Sequence, residues 1–130
     1  MTIDTTRGVG EFTFVAFDFE TTGLHPAVDR IVEFGAVRFT VGRELAEFEE
    51  LADPGQAIHE DAARVSGITD AMVAGKPPVE EVLPRFMEFV GDGVLVAHNA
   101  EFDTGFLRAE LQRAGRPTVE NLIIDTQTLA

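Results

Sequence analysis

Hydrophobic residues follow two patterns along this chain, which predict where strands and helices lie. Short segments that are apolar throughout, or that alternate apolar with polar residues, predict strands over 11–20, 30–39, 44–51, 94–97 and 122–124. Gly, Pro and Asp residues separate the first three segments, so we expect three antiparallel strands joined by short connections. The apolar segment 94–97 is typical of an inner parallel strand.

Apolar residues spaced three or four apart predict helices over 61–66, 70–74, 78–90 and from Asn99 to Gly115. Thr69 and Asn99 are expected to cap helices at their N-termini, and Pro84 is expected to kink or restart the third helix. The last helix carries its apolar stripe on Phe106, Leu107, Leu111 and Ala114. The pattern predicts an α/β domain over residues 11–130, preceded by a flexible lead-in at residues 1–10.

Composition narrows the classes of protein that fit. The chain has 130 residues, 45% of them hydrophobic, which suits one domain with a substantial core. It contains no Cys, so a metal site would use oxygen or imidazole ligands. Neither a signal peptide nor a membrane span is evident, which predicts a soluble, cytoplasmic protein. The net charge of -13 argues against nucleic-acid binding through a broad basic field.

Two carboxylates interrupt the first apolar segment. Asp18 and Glu20 are two residues apart on a predicted strand, so both side chains point to one face, while Phe17 and Phe19 point to the other. At a separation of roughly 5 Å and an effective dielectric constant near 20, the two charges repel by about 3 kcal/mol. A raised pKa, an arginine, or a bound divalent cation would relieve this repulsion, and an ordinary salt-bridged pair at a strand end remains an alternative.

A third carboxylate occupies a position where the helical pattern calls for an apolar residue. Asp103 precedes Phe106 by three residues and Leu107 by four, so it lies on the buried stripe of the last helix. An aspartate in a first helical turn also stabilises the helix dipole, and this structural role is the alternative. A carboxylate directed toward the strand that carries Asp18 and Glu20 favours a cation site.

The order and spacing of these motifs resemble those of a known family. The segments FDFETTG (17–23), GIT (67–69), AHNAEFD (97–103) and IDTQTLA (124–130) are similar to motifs of the DEDD exonuclease superfamily. The resemblance is to the DEDDh-type branch typified by the epsilon subunit of DNA polymerase III. It implies a ribonuclease-H-like fold with a mixed sheet flanked by helices, whose C-terminal part would be missing here.

The resemblance also implies a metal-dependent mechanism. Asp18 would bridge two divalent cations, Glu20 would bind one of them, and Asp103 would support the second, largely through water. The expected cofactors are two Mg²⁺ or Mn²⁺ ions, which prefer oxygen ligands. Such a pair activates water and stabilises the leaving 3′ oxygen of a phosphodiester.

Substrate contacts are implied at the same turn and at the second motif. Backbone donors of Thr21, Thr22 and Gly23 would approach the terminal nucleotide, Leu24 would press against its base, and Phe102 would line the base pocket. The turn residues could instead simply form the turn, and Leu24 and Phe102 could be core residues. His98 and Asn99 belong to the second motif, where a structural hydrogen bond is the favoured role for His98.

The chain departs from the family pattern in several places. Nothing after Asp125 matches the third motif, a histidine followed by an aspartate, so we expect a truncated domain that is weak or inactive by itself. His25 and His59 are poor substitutes, because they lie in or near loops. Ser66 stands where many relatives carry a histidine. Asp125 is interpreted as a structural cap and Glu33 as an edge or paired carboxylate, and neither is assigned to the metal site.

Two functions remain open. The first is a 3′–5′ exonuclease that acts on single-stranded or frayed DNA, in proofreading or repair. The second is a non-catalytic module that binds a nucleic-acid end or a polymerase partner. The expected partners are a 3′ end, most simply of DNA although RNA is also possible, and a polymerase or another replication or repair subunit, which could supply the positive charge that this chain lacks.

Overall fold

The strand that carries Asp18 and Glu20 is the middle strand of a five-stranded sheet in the computed structural model, which describes residues 12–128. The strands are β1 (Phe14–Thr21), β2 (Ile31–Thr40), β3 (Arg43–Leu51), β4 (Val94–Ala97) and β5 (Ile123–Asp125), in the spatial order β3-β2-β1-β4-β5. The first three strands pair antiparallel, whereas β4 pairs parallel with both β1 and β5. The predicted mixed sheet of an α/β fold is confirmed. The lead-in expected at residues 1–10 lies outside the described residues.

The predicted helices are present within one or two residues of their expected limits. They are α1 (Glu60–Ser66), α2 (Asp70–Val73), α3 (Val79–Val90) and α4 (Ala100–Arg113), and a 3-10 helix follows at Thr126–Thr128. Thr69 caps α2 as predicted, because its side chain accepts a hydrogen bond from the N–H of Met72 at 3.3 Å. Helix α3 runs unbroken through Pro84, so the proline does not restart it. No helix in the described part of the chain is long and apolar enough to cross a membrane.

Helix α4 differs from the sequence prediction at both ends. Asn99 occupies the N-cap position, but its side chain makes no capping hydrogen bond. Ala114 is exposed, because the helix has already ended and the chain turns away at Gly115, which has a φ of 68°. The N–H groups of Gly115 and Arg116 then bond to carbonyl oxygens of the last helical turn, at 3.1 and 2.9 Å. Ala114 therefore belongs to the helix end and does not extend the buried stripe.

Phenylalanine rings fill the core on the face of β1 opposite Asp18 and Glu20. Phe19 packs edge-on against Phe34 and Phe86, with ring centroids 5.4 and 5.3 Å apart. Helix α3 packs against β2 and β3, and α4 packs against β4 and β5. Burying a phenylalanine side chain contributes about 1.5–3 kcal/mol. This packing fixes the middle strand, and with it the backbone that carries the two carboxylates.

Candidate active site

The two carboxylates of β1 project from one face of the strand, at positions that pair with β2 alone. Asp18 is exposed and Glu20 is half-buried, whereas Phe17 and Phe19 are each only 4% exposed on the other face. In the antiparallel ladder Asp18 lies opposite Gly35, and Glu20 lies opposite Glu33. The alternation expected from the sequence is therefore observed, and no basic side chain faces either carboxylate across the ladder.

Asp103 reaches the same strand from α4. Strand β4 pairs with β1 only over Phe14–Ala16, so the backbone of β1 beyond that point has no strand partner on this side. A buried N–H without an acceptor is costly, and the Asp103 carboxylate accepts the hydrogen bond of Phe19 N–H at 3.3 Å. Asp103 is 4% exposed. Its carboxylate is thus held at the one residue that separates Asp18 from Glu20.

Among residues 12–128, no basic side chain compensates the negative charges of Asp18 and Glu20. Burial raises the pKa of Asp103 to about 7, and the charges of Asp18, Glu20 and Asp125 add to the effect. Burial also raises the pKa of Glu20, followed by repulsion from Asp18 and Glu33. Within residues 12–128, neither β1 carboxylate forms an ion pair with Lys, Arg or His. The salt-bridged alternative for Asp18 and Glu20 is therefore not what these residues show.

Two further acidic residues lie close to this group. Glu33 is on β2, which has a strand on each side, so the expectation of an edge carboxylate is wrong. Burial raises its pKa, as do the charges of Glu49 and Asp18. Asp125 accepts a hydrogen bond from Gln127 N–H at 2.9 Å, which fits the predicted capping role. Its charge nevertheless contributes to the raised pKa of Asp103.

The donor chemistry of this site fits a hard divalent cation. Asp18, Glu20 and Asp103 offer only carboxylate oxygens, and their unbalanced charge is what such a cation would neutralise. As they stand, however, no three His, Asp or Glu side chains among the described residues are arranged closely enough to hold a metal ion. Asp103 is fixed by its backbone contact, whereas Asp18 and Glu20 keep exposed or half-exposed side chains. To bind a cation together with Asp103, the side chains of Asp18 and Glu20 would therefore have to move.

A cleft of about 610 Å³ opens beside Glu20. Its walls include Glu20, Leu24, His59, Asp61, Val65 and Phe102. Leu24 is 73% exposed, so it is not a core residue, and Phe102 is half-buried with its ring centroid 5.0 Å from that of Phe106. In the described part of the chain, no Lys or Arg lines this cleft. It offers apolar surface for a flat group next to carboxylates.

The turn at 21–24 is held by its own hydrogen bonds. The hydroxyl of Thr21 donates to the carbonyl oxygen of Gly23 at 2.7 Å. Thr22 is fully buried and its backbone N–H donates to the carbonyl oxygen of Arg30 at 2.8 Å. Thr22 therefore cannot offer the backbone donor that was expected to approach a nucleotide. Its role is inside the turn. The residues of this turn that line the cleft are Thr21, Gly23 and the exposed Leu24.

The second motif contributes Asp103 and Phe102 to the site, but His98 and Asn99 do not line the cleft. Both are exposed, and His98 Nδ1 lies 3.4 Å from the Thr126 hydroxyl, in keeping with a structural role. The hydroxyl of Ser66 accepts the N–H of Ile68 at 3.1 Å, so it is used within its own loop.

Two buried networks lie around the site that the sequence patterns did not predict. The first centres on Asp29, in the connection between β1 and β2, which is 2% exposed and bonds to Thr22, His25 and His59. Burial by itself would raise the pKa of Asp29, but the hydrogen bonds from His25, Thr22 and His59 outweigh it and hold the pKa below its ordinary value. The carboxylate is thus ionised at neutral pH.

The second network joins α4 to the start of β2. Glu110 is 1% exposed, and both of its oxygens accept from Nε of Arg30, at 2.9 and 3.0 Å. It also accepts the backbone N–H of Ile31 at 3.1 Å. Glu110 lies seven residues after Asp103, on the same buried stripe, so the reasoning that identified Asp103 could also have identified Glu110.

The model of the exonuclease family named RNase_T matches residues 15–130. Among curated relatives, PolC-type DNA polymerase III of Halalkalibacterium halodurans is 46% identical over 116 residues, which are 89% of this chain and 8% of that protein. The corresponding protein of Thermotoga maritima is 44% identical over 121 residues, which are 93% of this chain and 9% of that protein. The chain thus spans less than a tenth of the length of these relatives.

A solved structure of E. coli exonuclease I in complex with a dT13 oligonucleotide superimposes with a TM-score of 0.83. It is 22% identical, and the match covers 92% of this chain and 29% of that one, which shows a shared fold. The family match extends over most of the chain and includes both acidic motifs. The chain therefore belongs to the RNase_T exonuclease family and has a DEDD-type, DnaQ-like exonuclease domain.

Proposed function

We propose that this domain is a metal-dependent 3′–5′ exonuclease that removes terminal nucleotides from single-stranded or frayed DNA. The observation that carries the proposal is the contact between Asp103 and the N–H of Phe19, which holds a third carboxylate between Asp18 and Glu20. Three uncompensated carboxylates beside an apolar cleft suit a phosphodiester whose terminal base enters the cleft.

Asp18, Glu20 and Asp103 are the residues that would hold Mg²⁺ or Mn²⁺. Bound there, two such ions would activate a water molecule and stabilise the charge that develops on the leaving 3′ oxygen. The protein itself fixes Asp103 through the backbone of β1. It also presents Asp18 and Glu20 from a strand whose register is set by pairing with β2 and β4. Leu24 and Phe102 would orient the terminal base by apolar contact and stacking.

The relatives support a polymerase context. Both are PolC-type DNA polymerase III proteins, and the related exonuclease I was solved with dT13. The net charge of -13 and a cleft without Lys or Arg among the described residues mean that little in this domain attracts a DNA backbone. We infer that a more basic polymerase subunit or domain delivers the 3′ end.

The test is cleavage of a 5′-labelled single-stranded oligonucleotide with Mn²⁺, combined with calorimetric titration of Mn²⁺. We expect Mn²⁺ to bind the chain and the oligonucleotide to shorten from its 3′ end. None of the three His residues of this chain matches the general base of the family's third motif, so we expect cleavage by this chain alone to be slow, by a factor of about 100 to 10,000 relative to a protein that has a general base. Asp18→Ala should abolish both signals, whereas the exposed Glu101→Gln should leave both unchanged.

The alternative is a module that binds a nucleic-acid end without cleaving it. One observation favours it: within residues 12–128, no three carboxylate or imidazole side chains lie close enough together to bind a metal ion. Oligonucleotide binding that is independent of Mn²⁺ and survives Asp18→Ala would select this alternative. Cleavage that persists in Asp18→Ala would contradict the proposed site.

A further inference from the structure

The carboxylate of Asp29 links three segments that surround the cleft. Its Oδ1 accepts from the Thr22 hydroxyl and from Nε2 of His59, each at 3.0 Å, and its Oδ2 accepts from the backbone N–H of His25 at 3.0 Å. Since an ionised carboxylate only accepts, His59 Nε2 carries the hydrogen. The bonds connect the turn at 21–24 with the N-terminus of α1, and both segments line the cleft.

The packing around Gly23 shows how closely these segments meet. A Cβ atom at Gly23 would lie 2.5 Å from Oδ2 of Asp29 and 2.5 Å from Cδ2 of His59. The backbone N–H of His59 also donates to the carbonyl oxygen of Thr22 at 2.9 Å. The turn and α1 are therefore in direct contact at this point, with no room for a larger residue between them.

The two partners differ in their exposure. Asp29 is buried, whereas the side chain of His59 is 66% exposed and lines the cleft. A hydrogen bond from such an exposed side chain contributes little to global stability. It does fix one position on the cleft wall, because it joins the turn that includes Leu24 to the helix that carries Val65.

We propose that Asp29 and His59 are positioning residues that hold the turn 21–24 against α1 and thereby set the width of the cleft for a terminal nucleotide. The choice of a nucleotide as the ligand rests on the proposed function. The contact between Asp29 and His59 does not depend on that function. Neither residue is placed in the metal site or in the chemistry. Their effect on a nucleotide passes through Leu24 and the walls of the cleft.

The experiment compares His59→Ala with His59→Gln, because the Gln amide nitrogen can take the place of Nε2 as a donor to Asp29. The first measurement is amide hydrogen exchange by NMR without substrate. The informative amide is that of His25, which bonds directly to Asp29. We expect its exchange to become about tenfold faster in His59→Ala and to return to the wild-type rate in His59→Gln.

The second measurement is calorimetric binding of thymidine 5′-monophosphate in the presence of Mg²⁺. We expect the dissociation constant to rise about fivefold to tenfold in His59→Ala and to stay within about twofold of wild type in His59→Gln. The affinity for Mg²⁺ alone should be equal in all three proteins. A purely structural role would speed exchange at His25 and leave the nucleotide affinity unchanged.

Three results would decide against the inference. Wild-type exchange at His25 in His59→Ala would show that His59 does not hold the turn. Faster exchange with unchanged nucleotide affinity would show that the turn does not set the width of the cleft. Equal losses in His59→Ala and His59→Gln would show that the hydrogen bond to Asp29 is not responsible. If wild type binds no thymidine monophosphate, the proposed function fails, and the exchange data still decide whether His59 holds the turn.

Discussion

Asp103 and Glu110 lie seven residues apart on the buried face of α4, and each carboxylate accepts a hydrogen bond from a backbone N–H of the sheet region. Asp103 takes that of Phe19 at 3.3 Å, and Glu110 takes that of Ile31 at 3.1 Å. The surroundings of the two charges differ. Glu110 forms an ion pair with Arg30, whereas Asp103 is repelled by Asp18 and Glu20. One carboxylate thus fastens the helix, and the other concentrates negative charge at the site.

Removing the charge of Asp103 is expected to stabilise the metal-free protein. In Asp103→Asn the amide oxygen can still accept from Phe19 N–H, but the burial of an ionised carboxylate and its repulsion by Asp18 and Glu20, which together raise the pKa of the acid to about 7, are gone. We expect the free energy of unfolding at pH 8 to rise by about 1–3 kcal/mol, since one pKa unit corresponds to roughly 1.4 kcal/mol. Urea unfolding without metal measures the change.

The exposed Glu101 is the matched control, since it lies in the same helical turn. Glu101→Gln should change stability by less than about 0.5 kcal/mol. Added Mg²⁺ should raise the melting temperature of wild type more than that of Asp103→Asn. A less stable Asp103→Asn in metal-free buffer would contradict the charge argument.

Breaking the pair between Arg30 and Glu110 is expected to be costly. Glu110→Ala removes both acceptors of the Arg30 Nε and the acceptor of Ile31 N–H, and it leaves a cavity at a position that is 1% exposed. We expect a loss of about 2–4 kcal/mol, measured by urea unfolding. Arg30 retains its contact with Glu80 at 2.7 Å, which limits the loss.

The exposed pair of Asp61 and Arg64 on α1 is the comparison for this experiment. Arg64→Ala should cost less than about 0.5 kcal/mol, because exposed pairs are screened by solvent. Similar losses in the two variants would show that burial does not strengthen the Arg30–Glu110 contact.

Adding a methyl group at two glycines should have opposite effects. Gly23→Ala would place Cβ 2.5 Å from both Asp29 and His59, so we expect it to destabilise the fold by about 1–3 kcal/mol. Gly105→Ala on α4 would meet only Pro26, at 3.5 Å, and Ala is the better helix former. It should stabilise the fold by about 0.5–1 kcal/mol. Thermal unfolding of the two variants tests the pair, and stabilisation by Gly23→Ala would contradict the packing.

The low pKa of Asp29 makes its contribution depend on pH. Although burial opposes ionisation, hydrogen bonds hold the pKa in the folded state below that in the unfolded chain. The unfolded state therefore binds the proton more tightly, and the stabilisation is present above about pH 4 and is lost as the pH falls through the folded pKa. The stability difference between wild type and Asp29→Asn, measured in urea, should shrink from pH 6 to pH 3. A difference that does not change with pH would contradict this assignment.

Sequence patterns predicted on which faces Asp18, Glu20 and Asp103 lie, because those positions follow from the periodicity of strands and helices. Because a strand alternates strictly, the spacing of Asp18 and Glu20 was enough to place both on one face. Because a helix repeats every three to four residues, a carboxylate three before Phe106 had to face inward. The mixed sheet followed from the same patterns and from the short connections between the first three strands.

The remaining features depend on where chain segments stop. Asp103 meets Phe19 because β4 pairs with β1 only as far as Ala16, and no pattern in the sequence states that limit. The contacts of Asp29 join a turn to a helix through the Thr22 hydroxyl, the His25 backbone N–H and the His59 ring, and these contacts leave no periodic signal. Ala114 fitted the stripe by spacing but was excluded from it by the turn at Gly115.

The aromatic core has a practical consequence for every experiment described above. The chain has 11 Phe and no Trp or Tyr, so it absorbs almost nothing at 280 nm and gives no useful intrinsic emission. The rings beneath β1 are optically silent, and chromatography would have to follow the peptide bond in the far ultraviolet. The absence of tryptophan also allows a specific probe. In Leu24→Trp, the new indole at this exposed position would be the sole one in the chain. Quenching of its fluorescence would then report the arrival of a base at that wall in real time.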